Sequence, residues 1–114
     1  MQYLLLIYGE EARWAKLSKP EFDSERADYG AFGKDFAKSI LGGNALQPTA
    51  EAKTVRLRDG KSLATDGPFA ETKEQLGGYY LVEARDAEEA IGIAAKIPAA
   101  RYGCVEVRPI LKFS

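Results

Sequence analysis

The sequence predicts an α+β domain in the order β-α-β-β-β-α-β, with an antiparallel sheet that carries its helices on one face. Three observations point there. The chain opens on a near-continuous apolar run, Met1 to Tyr8, as a strand buried on both faces does. Two later segments repeat apolar residues at helical spacing. Between and after them lie short alternating or aromatic-rich segments, punctuated by Asp-Gly and Gly-Gly signals.

Taken in order, Glu10 to Leu17 reads as a short helix anchored by Trp14. Ser18-Lys19-Pro20-Glu21 has capping-box spacing, with a proline tolerated in the first turn. The helix it opens places Tyr29, Phe32, Phe36 and Ile40 on one face, and Gly42-Gly43 is the expected left-handed stop. After the connector Leu46-Gln47-Pro48, the segment Thr54 to Arg58 alternates, with Val55 and Leu57 on one side. Asp59-Gly60 is a two-residue hairpin signal and returns the chain through Ser62 to Thr65. Ala70 to Gln75 has room for one helical turn. Gly77-Gly78 marks a bulge or a close backbone approach at the entrance of a strand, Tyr79 to Glu83. Asp86 caps a helix with Ala87, Ala90, Ile91 and Ala94 along one side; Pro98 stops it, and Cys104 to Arg108 is the last strand.

Two β-α-β halves with an extra hairpin strand make a ferredoxin-like sheet, in a single domain spanning 1–114 without repeats or linkers. Two helices cover one face of such a sheet. The first strand is apolar on both faces, and Tyr79 and Leu81 oppose Tyr80 and Val82. The uncovered face is therefore an association surface, and homodimerisation through it is the simplest expectation.

Composition narrows the function. Of 114 residues, 46% are apolar and 29% charged, with a net charge of −1, so no basic field draws a nucleic-acid backbone. No apolar run is long enough to span a membrane, and no basic segment precedes the first strand, so a cytoplasmic protein is expected. One cysteine cannot form an internal disulfide, which fits a reducing compartment. Cys104 reads as a small buried or half-buried packing residue, since a reactive thiol would need a cationic neighbour and Arg101 is the nearby candidate. There is no histidine: imidazole bases, Ser-His and Cys-His activation are all impossible. No metal site and no cofactor is expected.

The chemistry-bearing residues concentrate in Asp66 to Tyr80. Asp66-Gly67-Pro68 is turn chemistry. Phe69 is a lone large apolar residue suited to anchoring the turn to a core. Asp66 is the catalytic candidate, as a general base or a carboxylate anchor at the edge of a cavity; the competing role is hydrogen bonding to the amides of its own turn. Glu71, Lys73 and Glu74 suit a polar ligand, or equally a solvated face with ion pairs. Tyr8 and Tyr79 offer hydroxyls to a pocket if they are not core, and Arg108, beside Glu106, offers a guanidinium. The ligand-binding candidates are thus Tyr8, Gly67, Pro68, Phe69, Glu71, Lys73, Tyr79 and Arg108.

The run Asp-Gly-Pro-Phe-Ala-Glu-Thr-Lys-Glu at 66–74 closely resembles the signature of the DGPF branch of the YCII-related family. Tyr3 to Gly9, Pro98 to Arg101 and Val105 to Pro109 resemble it as well, so the likeness covers nearly the whole chain. It implies a ferredoxin-like domain that pairs as a dimeric α/β barrel. Some members resemble muconolactone-isomerase-like enzymes in fold, and others lie beside genes for alternative sigma factors. Parts of the family carry an Asp–His pair proposed as a catalytic dyad, which this histidine-free chain cannot reproduce. Two functions fit: cofactor-free isomerase- or lyase-like acid/base chemistry on a small organic molecule near Asp66, or a non-catalytic binding module linked to sigma-factor-dependent regulation.

Overall fold

Strand β1 (Gln2–Gly9) is the centre of the computed structural model, which describes residues 1–113. It pairs antiparallel with β5 (Gln75–Glu83) on one side and β6 (Cys104–Pro109) on the other. Strand β2 (Ile40–Ala45) adds to the outer edge of β5, so the sheet runs β2-β5-β1-β6. This is the ferredoxin-like arrangement. Alternation along β1 and β5 turns Tyr3, Leu5 and Val82 to one face. There they pack on Phe32 of α2 (Lys19–Asp35) and on Ala90, Ile93 and Ala94 of α3 (Ala87–Ala94). Both long helices cover that face.

The local signals explain the helix starts. Ser18 Oγ accepts from the Glu21 amide at 3.2 Å, and the Glu21 carboxylate accepts from the Ser18 amide at 2.9 Å, which completes the capping box. Asp86 accepts from the Glu89 amide at 2.9 Å at the start of α3. The inward face of α3 is Ala90, Ile93 and Ala94, continued past the helix by Ile97, and Ile91, expected inside, is exposed. Spacings of three and four from Ala90 choose Ile93 over its neighbour two residues back. Trp14, in the short helix α1 (Glu11–Ala15), is half-exposed and stands edge-on to Phe22, ring centroids 6.0 Å apart. What ties α1 down is Arg13, ion-paired to Glu25 of α2, with its guanidinium 3.4 Å above the Tyr102 ring.

The expected end of α2 is corrected. The helix stops at Asp35, and Ile40–Ala45 is an additional strand, not the helix end. Ile40 still packs on the core, but from the sheet. Gly43 is there for proximity: a Cβ would sit 2.7 Å from the Tyr79 carbonyl oxygen and 2.8 Å from the Tyr80 ring. Gly78 repeats the logic from the other side, its Cβ position lying 2.9 Å from the Asn44 carbonyl oxygen. Register shifts by one residue at Ile7/Tyr8, facing Gly77, so the glycine pair makes both the bulge and the close approach.

The expected hairpin forms but does not join the sheet. Strands β3 (Lys53–Arg58) and β4 (Lys61–Asp66) pair only with each other. Asp59 (φ 51°) and Gly60 (φ 73°) both take left-handed conformations, as a tight Asp-Gly turn demands. The element order is therefore β-α-β-β-β-β-α-β, with the hairpin inserted into the ferredoxin-like body. Residues 67–74 contain no helical turn, and β5 starts at Gln75. The radius of gyration is 16.1 Å, against about 13 Å for a compact chain of this length. The hairpin is an arm that stands off the body.

The core places a quantitative demand on β1. Leu5 is 0% exposed. Leu5→Ala should cost about 2–5 kcal/mol and lower the thermal midpoint by roughly 8 °C or more. Circular-dichroism melting of the two proteins checks this, and an unchanged midpoint would contradict the packing described.

Candidate functional site

The last residues of β1 and the first of β5 and β6 meet at one end of the sheet. Cross-strand pairing places Tyr8 beside Cys104 and Leu76, Leu6 beside Glu106 and Tyr79, and Leu4 beside Arg108 and Leu81. All of these point away from the helices. Their end of the open face forms a cavity of about 580 Å³ lined by Tyr8, Glu10, Cys104 and Glu106. The remaining wall is Thr72, Lys73 and Glu74, the end of the charged motif.

This wall is held from several sides. Gln75 Nε2 donates to the Thr72 carbonyl at 2.7 Å, and Gln75 Oε1 accepts from the Glu11 amide at 3.0 Å. Thr72 Oγ1 donates to the Glu74 carbonyl. Glu11 in turn accepts from the Thr49 amide at 2.8 Å, which joins the start of α1 to the connector ahead of β3. Backbone and side-chain amides thus set where Lys73 and Glu74 emerge.

Lys73, its side chain 90% exposed, holds its Nζ 3.9 Å from Glu10 Oε1 in a solvated pair. Of the lining carboxylates Glu10, Glu74 and Glu106, Glu74 is the half-buried one, with its Oε1 3.9 Å from Cys104 Sγ. Partial burial, followed by the Glu74 carboxylate and its hydrogen bond, pushes the Cys104 thiol above its ordinary value. The cysteine is exposed, not a buried packing residue, because the register of β6 turns it to the open face with Tyr8. Arg101, the cation nearest to it in sequence, is engaged elsewhere, with Asp28 at 2.8 Å and the Pro98 carbonyl at 3.2 Å. A protonated thiol with acidic neighbours is a poor nucleophile. Among the described residues, no group of three or more Cys, Asp or Glu side chains is arranged to hold a metal.

The other sequence candidates fall in two places. Tyr79 and Arg108 lie farther along the open face. The Tyr79 hydroxyl accepts from Asn44 Nδ2 at 2.8 Å, and Arg108 Nε is 3.5 Å from Glu106. Asp66, Gly67, Pro68, Phe69 and Glu71 do not line the cavity of their own chain. Asp66, at the end of β4, is exposed and ion-paired to Lys53, its cross-strand partner. The turn after it is held without its side chain. The Gly67 amide donates to the Ala52 carbonyl at 2.7 Å, and the Gly67 carbonyl accepts from Thr54 Oγ1 at 2.7 Å, with Gly67 at φ 91°. Phe69 is 81% exposed and anchors nothing in this chain.

Sequence reasoning did not single out Glu10, Thr72 and Cys104 as cavity residues. The alternation of β6 carried part of the signal, since Cys104, Glu106 and Arg108 oppose the core-facing Val105 and Val107. Glu10 carried none, because its approach to Lys73 depends on how two distant loops pack.

A family model described as the YCII-related domain matches residues 1–114. The chain belongs to the YCII-related family. An uncharacterised protein of Rhizobium meliloti (strain 1021) is 38% identical over 114 residues, an alignment that covers 96% of this chain and 92% of the relative. Among solved structures, 5-chloro-2-hydroxyhydroquinone dehydrochlorinase (TftG) of Burkholderia phenoliruptrix AC1100, in complex with 2,5-dihydroxybenzoquinone, superposes with a TM-score of 0.57. It is 13% identical, over 97% of this chain and 94% of that one. The likeness is one of fold, a mixed α+β architecture with an antiparallel sheet and helices. In this YCII-related chain, the family-like motif supplies one wall of the cavity with its last three residues.

The Glu74–Cys104 contact has a measurable consequence. The pH midpoint of Cys104 alkylation by iodoacetamide should lie above that of an ordinary thiol, and Glu74→Gln should bring it down. A midpoint that Glu74→Gln leaves in place would mean the carboxylate does not act on the thiol.

Proposed function

We propose that the chain is a single DGPF-type YCII-related domain that works as a homodimer on a small oxygenated organic molecule, by cofactor-free isomerase- or lyase-like acid/base chemistry. A cytoplasmic setting accords with its single unpaired cysteine. The observation that carries the reading is the convergence of the Tyr8 hydroxyl, the Lys73 ammonium and the half-buried Glu74 carboxylate on one cavity. Its volume of about 580 Å³ is in the range of small-molecule sites.

Isomerisation and elimination each need a base to take a proton and an acid to return one or to assist a leaving group. With no imidazole in the chain, carboxylate and phenol are the groups at hand. Glu74 takes the base role, Tyr8 donates to a substrate oxygen, and Lys73 opposes the negative charge that develops as the proton leaves. Asp66, exposed and paired to Lys53 at the root of the hairpin, takes no catalytic part in this reading. Tyr79 and Arg108 border the path along the open face. Homodimerisation through that face would roof a cavity that a single chain leaves open. The dehydrochlorinase of the same fold acts, by its name, on a chlorinated hydroxyhydroquinone and holds 2,5-dihydroxybenzoquinone. That supports hydroxylated rings as the substrate class to try.

Calorimetry with 2,5-dihydroxybenzoquinone is the first test, followed by halide release from a chlorinated hydroxyhydroquinone. Tyr8→Phe should weaken quinone binding about tenfold, close to 1.4 kcal/mol. Glu74→Gln should lower kcat by about 10² to 10⁴ with little change in binding. Binding without turnover in the parent would favour the non-catalytic module. No binding of any hydroxylated ring would remove this substrate class.

A further inference from the structure

The hairpin is the part of the molecule that neither the core nor the cavity explains. A two-stranded hairpin is marginal in water by itself. This one has two six-residue strands, pairs with no other strand, and leaves nearly every residue exposed. Its cross-strand register puts Arg56, Arg58, Lys61 and Leu63 on one face and Val55, Leu57 and Ala64 on the other. Leu57 is 67% exposed, and Val55 and Leu63 are also exposed. Apolar residues on both faces suit an arm enclosed by a partner, not one standing in water.

Charge indicates the partner. With Lys53 and Asp66 paired to each other, the arm presents Arg56, Arg58 and Lys61 against Asp59 alone. The cavity presents Glu10, Glu74 and Glu106; Lys73 pairs with Glu10 and Arg108 with Glu106, so three carboxylates meet two cations and Glu74 has none. Each chain therefore carries a cationic arm with no seat and an acidic cavity with no roof. A reciprocal exchange about a two-fold axis would cover both arms and both cavities at once, with no other protein needed.

We propose that the β3–β4 arm of one copy seats over the cavity of a second copy, with its Arg56–Arg58 face against Glu106 and Glu10. The arm delivers a guanidinium to the site in trans. Each site is then built from two chains: Tyr8, Lys73 and Glu74 from one, and a fixed cation from the other, facing the oxygens of the bound molecule. Phe69, exposed at the root of the arm, travels with it to the partner. This inference rests on the reading of the cavity as the functional site, and it adds the partner and the residue the partner contributes.

The native Cys104 in the cavity makes the test direct. Arg56→Cys and Arg58→Cys, each oxidised with copper phenanthroline, should give a disulfide-linked species of twice the 12.5 kDa chain mass on a non-reducing gel. That species should vanish when Cys104→Ser is added. In the otherwise unmodified chain, Arg58→Glu should weaken the dimer about tenfold in sedimentation, and Glu106→Arg should restore it. A dimeric parent that gives no Cys104-dependent link at either position overturns the arm exchange while leaving the homodimer intact. A monomeric parent overturns both. Quinone binding to the parent, measured separately, reports on the cavity whichever way the arm is decided.

Discussion

The structure depends on a single constraint: β1 is apolar on both faces and lies in the middle of the sheet. Leu5 and Tyr3 are buried under α2 and α3, and everything on the helix side follows from covering them. The same strand turns Leu4, Leu6 and Tyr8 the other way, and among the described residues no helix covers that side. A strand of this composition has a cost on its bare face, and the molecule places its cavity there. The apolar strand organises the core on one face and the candidate site on the other.

The charged motif contributes differently at its two ends. Its first residues make a turn at the root of the hairpin, held by Ala52 and Thr54. Its last residues, pinned through Gln75 and Glu11, form the cavity wall. The motif therefore couples an arm to a site. Glu74 and Cys104 touch at 3.9 Å in that cavity, and partial burial together with the carboxylate raises the thiol above its ordinary value.

Much of the fold was legible in the residues. The first and last strands, the capping box of α2, the Asp86 cap of α3 and the Asp59-Gly60 hairpin all follow from short-range rules that the structure obeys. The β2 strand was not legible, because Gly42-Gly43 after an apolar stripe looks like a helix stop. Its real reason is a carbonyl and a ring from a strand some 40 residues away in sequence. Ile91 and Ile93 are similar in hydrophobicity; with Ala90 facing the sheet, helical spacing turns Ile93 in and Ile91 out, and the sheet decided that Ala90 faces it. For the site, Tyr8 and Lys73 were legible as candidates. Glu10 and Cys104 were not, since neither lies near the motif in the sequence.

What the sequence alone determined is local: alternation, caps, tight turns, the absence of imidazole, and a motif that marks the YCII-related family. Those properties depend on residues a few positions apart, whose preferences hold in any context. Tertiary structure decided which glycines meet a neighbouring backbone, which face of β6 carries the cysteine, and which end of the motif reaches the cavity. Each of these depends on contacts between segments distant in the chain, and short-range preference carries no information about such contacts.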